Sequence, residues 1–296
     1  MVMSSSQNVS VVIAHHGMDE HLHECLRAHL AELEEDDECV AVIAGAPLGD
    51  LGKEFAAVTL VHQPAERLTP ELWSAGIGLV HAEFVRVTIG SFLPEPGWRA
   101  ALISAHGRGA AGVSGPIHPA SGLRGRDLAI FYQRYRQYDS TPPETSRVHD
   151  IPADHASYSS ASLRTSRPLW EPGFWEREVN AFLVQSGAHL AMDPEFAARY
   201  LGGESVWSFM CQRFRHGLRF GNRRMVPRSH FYRAAFVATL FLPGAVFGLK
   251  IVREVWSDGD RLGLLRSLPW LPLFVGAWAL GEWLGAFGAL FIRRTE

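Results

Sequence analysis

Histidines crowd the stretch HHGMDEHLHE, residues 15–24, where His15 and His16 adjoin and His21 and His23 stand two apart. Imidazoles in company can hold zinc. A zinc-binding helix, however, offers two ligands four residues apart on one face, and neither spacing does that. His15 closes an apolar run and can instead touch a nucleotide. Two carboxylates, Glu176 and Glu178, open a segment of helical pattern. A carboxylate beside a hydroxyl can take its proton, but two positions on a helix lie roughly 200° apart, so both cannot face one site. The helix dipole alone also favours a carboxylate in a first turn. A third stretch, RVTIGSFLPEPGWRAAL (86–102), ends its strand in Ile89-Gly90-Ser91. A serine hydroxyl without carboxylates around it is a poor ligand for a hard cation.

Elements able to position these residues alternate along the chain. SVVIAHH (10–16), ECVAVIAG (38–45) and AAVTLVH (56–62) read as strands, and Leu22, Cys25, Leu26, Leu30 and Leu33 form a helical stripe between the first two. A helix over about 70–82 leads into the strand 84–89, and another opens at Pro96-Gly97-Trp98. AAGVSGPI (110–117) reads as a strand, GRDLAIFYQRYRQY (125–138) as a helix and STPPETS (140–146) as a loop. DIPADHASYSSASL (150–163) returns toward the sheet, and PGFWEREVNAFLVQSG (172–187) is a helix punctuated by Pro and Gly. Alternation of this kind predicts a largely parallel, buried sheet.

The 296 residues suffice for one large or two ordinary domains. Cys25, Cys39 and Cys211 are an odd, scattered set, so disulfides are not the scaffold and a reducing compartment fits. Met1 to Ser10 has neither a basic stretch nor an apolar run, so no signal peptide is expected. Charge is uneven. From residue 211 onward there are 13 Lys/Arg against 5 Asp/Glu, and before it 15 against 26. An acidic body joined to a basic, apolar tail suits a domain held against an anionic membrane. Nucleic acid is the weaker partner, because the basic residues flank apolar runs directly.

Two such runs stand out. AAFVATLFLPGAVFGLKIV (234–252) holds one charge, Lys250, and LPWLPLFVGAWALGEWLGAFGALFI (268–292) holds one, Glu282. Each is long enough for a bilayer crossing of ~20 residues. Arg219, Arg223, Arg224, Arg228 and Arg233 before the first run, with Arg293 and Arg294 after the second, outnumber Lys250, Arg253, Arg261 and Arg266 between them. That bias puts both ends in the cytoplasm. Buried helices of a soluble core and a shallow interfacial hairpin are the alternatives.

SVVIAHH with HECLRAHL, ECVAVIAGA, GIGLVHAEFVRVTIGSFLPEPGWRAALI, DIPADHASYSSASL, FWEREVNAFLVQSGAHLAMDPE and QRFRHG come in an order and spacing that resembles family 2 glycosyltransferases of the GT-A fold, over roughly residues 8–220. WALGEWLG in the tail resembles the membrane end of a bacterial subgroup. The resemblance implies a Rossmann-type, mostly parallel sheet flanked by helices, carried on residues 1–210. A basic interfacial segment, 211–233, and a membrane hairpin of two transmembrane helices, 234–296, then follow. It implies a hexosyltransferase-type enzyme at the cell inner membrane, facing the cytoplasm, that moves sugar from a nucleotide-sugar to a glycolipid or polysaccharide. By the same resemblance Glu176 is the acceptor base, with Glu178 its rival. Asp154-His155 stands near the acceptor, and Gln212, Arg213 and Arg215 form a shortened Q-x-x-R-W stretch touching acceptor or diphosphate.

The departures from the family lie in the donor site. Ile43-Ala44 stands where an Asp usually meets the nucleobase, Trp73-Ser74 where an Arg-Asn pair is usual, and Ile89-Gly90-Ser91 where D-x-D holds the metal. Mg²⁺ or Mn²⁺ is therefore not expected at that place, and no other cofactor is implied. A transferase with an atypical donor site is the first reading. A catalytically inactive, glycosyltransferase-like protein that binds or scaffolds a partner glycosyltransferase is the second.

Overall fold

The computed structural model describes residues 7–239 and 242–291. The chain divides into two compact units, Met1–Ala120 with Tyr138–Leu201, and Ser121–Gln137 with Gly202–Glu296. Residues 121–137 thus group with the C-terminal stretch.

The first unit starts with β1 (Val9–His16), α1 (Glu20–Leu30), β2 (Glu38–Ala44), α2 (Leu51–Glu54), β3 (Thr59–Gln63), α3 (Thr69–Ile77) and β4 (Phe84–Ile89). β1 is buried on both faces, as its unbroken apolar run requires, and pairs in parallel with β2 and β4 (Val12 opposite Val40 and Val87). Asp19 caps α1 by accepting the Leu22 N–H at 3.0 Å, and Leu22, Cys25 and Leu26 bury the stripe. α3 lies close on the sheet at Gly76, where a Cβ would fall 2.4 Å from Val12 Cγ1.

Then come β5 (Phe92–Pro94), α4 (Trp98–Gly107), β6 (Gly112–Ser114) and β7 (Ile117–Pro119). After α5 (Gly125–Arg134), which belongs to the other unit, follow β8 (Ser146–Val148), β9 (His155–Ser159), α6 (Ser160–Thr165), α7 (Arg167–Trp170), α8 (Glu176–Gln185), β10 (Leu190–Met192) and β11 (Ala198–Tyr200). The large sheet runs β3-β2-β1-β4-β9-β6-β10-β8. β9 is antiparallel to both its neighbours and β8 is antiparallel to β10, so the sheet is mixed with a parallel majority. A small sheet, β5-β11-β7, stands apart.

The second unit holds α5, α9 (Val206–Met225), α10 (His230–Ala238), α11 (Leu242–Ser257), α12 (Arg261–Ser267) and α13 (Leu271–Ala289). α9 and α13 run parallel in close contact. Each brings a G-x-x-x-G pair to the seam: a Cβ at Gly217 or Gly221 would fall 2.2 or 2.0 Å from the Trp278 or Glu282 carbonyl oxygen. At Gly281 or Gly285 it would fall 2.1 or 2.0 Å from that of Phe214 or Leu218. Only glycine permits this approach, the small-residue packing of tight helix pairs. Arg224 donates to Glu282 at 3.0 Å, and buried Arg233 donates to the carbonyls that end both helices, Met225 at 3.0 Å and Ala289. α5 is held by α12: Tyr132 donates to Asp260, Arg136 pairs with Asp258, and Arg266 donates to the Leu123 carbonyl at 2.6 Å.

Two crossings are expected from sequence, and the structure has one such helix outright and a second only if a bent pair counts as one span. Among the described residues, one helix, Leu271–Ala289, is by itself long and apolar enough to cross a membrane. The run 234–252 is shared between α10 and α11, which bend by 60°. Pro243 lacks an N–H, and its ring would clash with the carbonyl four residues back, at Thr239, where α10 ends. Residues 240–241 of that run, Ile292 of the other, and the orienting Arg293 and Arg294 lie outside the described residues.

Candidate functional site

Open α/β sheets gather ligands at the carboxyl edge of their parallel strands. In the first unit that edge is made by the ends of β1, β2 and β4 and by the start of β9, where Thr88 pairs with His155.

The β1–β4 half is packed shut. His15, 8% exposed, lays its ring over Gly90, where a Cβ would sit 2.5 Å from His15 Nδ1. Its Nε2 lies 3.3 Å from Asp19 Oδ1. Burial would raise the Asp19 carboxyl, but His15 and the Leu22 N–H outweigh it and hold the group below the usual carboxylate range. Trp73 donates its indole N–H to the Thr88 carbonyl at 2.7 Å, and Ser74 donates to that of Glu171 at 2.8 Å. Trp73 meets Phe174 edge-on, and Phe174 meets Tyr158 in turn, with centroids 6.5 and 5.3 Å apart. Ile89 and Ser91 are buried beside them. Neither can bring a carboxylate to a cation, and among the described residues no three His, Cys, Asp or Glu side chains are grouped to hold a metal. The histidines of residues 15–24 do not converge. His16 meets Thr69 at 3.3 Å, and His23 meets Glu54 at 3.4 Å.

The β9–α8 half is polar. Tyr138 is pushed above the usual phenol range, first by burial and then by the negative charges of Asp150, Glu176 and Asp154. Three carboxylates thus bear electrostatically on one hydroxyl. Tyr158 is raised by burial, then by Glu176 and Asp150, and donates to Asn180 Oδ1 at 2.9 Å. Asn180 Nδ2 in turn donates to Asp150 Oδ1 at 2.6 Å and to the Ile151 carbonyl at 2.8 Å. Glu176 and Asn180 are four apart on α8 and share a face. Glu176, rather than Glu178, is among the charges that raise both tyrosines. Asp154 is buried, and its carbonyl accepts the Thr88 hydroxyl at 3.0 Å.

Beneath the edge lies a charged layer that the sequence does not announce. Arg86 is fully buried between Trp98 and Phe196, its guanidinium carbon 4.8 and 4.5 Å from the two ring centroids. Burial lowers it to about 9. Its Nη2 meets His155 Nδ1 at 3.3 Å, and His155 Nε2 meets the Phe196 carbonyl at 2.7 Å. Burial, then Arg86, keeps the His155 ring neutral. This corrects the placing of His155 near an acceptor: with no exposed surface and both nitrogens engaged, it is a core residue.

Gln212, Arg213 and Arg215 lie on α9, in the second unit. Arg213 stands 5.2 Å over the Phe209 ring with Nη2 3.4 Å from His216 Nδ1, and Arg215 is exposed. Sequence reasoning misses Tyr138, Asp150, Tyr158 and Asn180. Asn180 alone carried a local signal, its place one turn after Glu176.

No family model matches this sequence, and no curated protein matches it. Among solved structures it is similar to the mannosyltransferase PcManGT from Pyrobaculum calidifontis, solved in complex with GDP-Man and Mn2+. The two share 14% identity at a TM-score of 0.52, over 95% of this chain and 85% of that one. At that identity the likeness shows the fold alone.

Proposed function

We propose that the protein is a membrane-associated transferase of the family 2 glycosyltransferase type, with an altered donor site. It moves a sugar from a nucleotide-sugar to a hydroxyl of a glycolipid or polysaccharide on the cytoplasmic face of the inner membrane. The observation that supports this reading is the hydrogen-bonded set Tyr158–Asn180–Asp150, with Glu176 one turn before Asn180 on α8, in a fold similar to a glycosyltransferase's. Glu176 is the base. Its carboxylate takes the acceptor proton as the oxygen attacks the anomeric carbon and the nucleoside diphosphate leaves. Asn180 orients Asp150 and Tyr158 beside it. The strand end Ile89-Gly90-Ser91 does not fit a divalent cation, because a hard cation wants several oxygen ligands and none of these residues is a carboxylate. Arginine meets a diphosphate without a metal, and the resemblance makes Gln212, Arg213 and Arg215 the proposed contacts.

The closed donor half supports a second reading, an inactive protein that keeps the fold to bind a partner glycosyltransferase. Titration of the full chain with a panel of nucleotide-sugars, with Mn²⁺ and with EDTA, separates the two. The transferase reading expects binding that EDTA leaves unchanged and that Arg215→Ala weakens. A panel with no binder favours the scaffold, and a large gain with Mn²⁺ overturns the metal-free site.

A further inference from the structure

Arg86 brings a positive charge into the core of the first unit, where water does not reach it. An arginine has five N–H groups to satisfy, and none can be given up. Trp98 and Phe196 lie against the guanidinium, and aromatic faces attract a cation. They do not accept the in-plane N–H groups. Nη2 meets His155 Nδ1, while Nε and Nη1 have no hydrogen-bond partner.

Two neighbours are left in the same condition. The Trp98 indole N–H has no partner, and neither has His29 Nε2. The Trp98 ring is 4.8 Å from the Arg86 guanidinium carbon and 5.3 Å from the His29 ring, so the three side chains form one group. All three have no exposed surface. His29 Nδ1 donates to the Cys25 carbonyl at 2.8 Å, which leaves Nε2 as an acceptor. One N–H on Nε, two on Nη1 and one on the indole therefore stand against a single lone pair.

No side chain supplies the missing negative charge. Glu32 is the carboxylate whose charge reaches Arg86, but its oxygens accept the Gly97 N–H at 2.7 Å and the Arg99 N–H at 3.3 Å. Cys25 bears on Arg86 too, yet burial pushes its thiol up and keeps it protonated. Among the described residues no carboxylate is hydrogen-bonded to Arg86. An unpaired charge is among the costliest things a core can hold. Water does not remove the imbalance, because each molecule brings donors along with its acceptors and carries no charge. An anion brings acceptors only. We propose that Arg86, Trp98 and His29 frame a buried site for one small monovalent anion, of halide size, held by Arg86 Nε and Nη1 and by the Trp98 indole N–H. One positive charge calls for one negative charge, and the full burial of its surroundings excludes a bulky oxyanion. The ion fastens α1, which carries His29, and α4, which Trp98 opens, to Arg86 of β4. Nothing in the site depends on the transfer of a sugar.

The test uses the purified full chain. Urea unfolding is followed at fixed ionic strength while sodium chloride replaces sodium gluconate, whose anion is too large to enter. Above its dissociation constant, chloride should raise the folded-to-unfolded ratio about tenfold for each tenfold rise in concentration, and bromide should do the same. Arg86→Met keeps the length of the side chain, removes the charge and should abolish the dependence. If that variant does not fold, Trp98→Phe keeps a ring, removes the indole N–H and should weaken chloride binding roughly threefold to tenfold, the worth of one hydrogen bond. A crystal grown in bromide should show the ion's anomalous signal beside Arg86 Nε and Nη1. Unfolding that is the same in chloride and gluconate, a chloride dependence undiminished in a folded variant, or water alone beside Arg86 in the bromide crystal each overturns the proposal.

Discussion

The two halves of the sheet edge share β4 and β9, yet they are finished in opposite ways. On one side His15 lies on Gly90, and Trp73 is tied to Thr88 by its indole N–H at 2.7 Å. On the other, the charges of Asp150, Glu176 and Asp154 act on Tyr138, and Asn180 ties Tyr158 to Asp150. Where the family likeness calls for charge to hold a leaving group, this chain has put packing. Where it calls for charge to activate a hydroxyl, the chain has carboxylates, Glu176 among them. The two halves rest on different residues, so a change in one leaves the other's side chains in place.

The largest effect should come from the polar half. In an assay of sugar transfer, Glu176→Gln should lower turnover roughly 10²–10⁴-fold, the worth of a placed base, and leave donor binding unchanged. Glu178→Gln should behave like the parent. Equal losses in both variants would place the base elsewhere and end the contrast.

Acid should act next, through the strand the halves share. His106 packs on Phe84 and meets Ser157 of β9 at 2.9 Å and the Ala110 carbonyl at 2.8 Å. Burial lowers its pKa from 6.5 to about 4, against the pull of Ala110. The unfolded chain thus takes up the proton first. Stability is whole above about pH 6.5 and falls by roughly 3 kcal/mol on the way to about pH 4. Buried His29 and His155 shift the same way and add to the slope. A urea midpoint that stays flat over this window would show that the His106 ring is solvated.

Smaller effects probe the closed half. Gly90→Ala forces a methyl group against His15 and should cost roughly 1–3 kcal/mol, part of it recovered in the double variant with His15→Ala. Additive losses in that cycle would mean the contact is not made. Trp73→Phe removes one hydrogen bond from a buried carbonyl and should cost about 1 kcal/mol in urea unfolding. A gain in nucleotide affinity there would show that the indole stands in a ligand's place.

The fold was more legible than the site, for physical reasons. SVVIAHH and ECVAVIAG are continuous apolar runs, and only a strand buried on both faces needs them. Nothing local says that β9 runs backwards, since HASYS would pair either way. At the site, Ile89-Gly90-Ser91 showed the missing carboxylates, because an absence at a strand end can be read in one dimension. The group around Tyr138 could not be read so. Asp150 and Asn180 are 30 residues apart in sequence and meet only once α8 has docked. In the tail, composition marked two apolar runs, of which one is a single helix and the other bends by 60° between α10 and α11. That GLRFG and GEWLG face each other across α9 and α13 shows only in the structure.

The hold of α12 on α5 sets a timetable. α5 leaves the ribosome early, with Leu128, Ile130 and Phe131 to bury. Its partner α12 ends at Ser267, 130 residues after Gln137. At about 5–20 residues per second, α5 waits on the order of ten seconds for a surface to close on. Meanwhile the strands on either side of it must find each other across an insert that is still open. A chain stopped at Arg224 would be held in that state permanently. Chaperone demand should therefore peak midway through synthesis, and the last helices should act as the clasp that ends it.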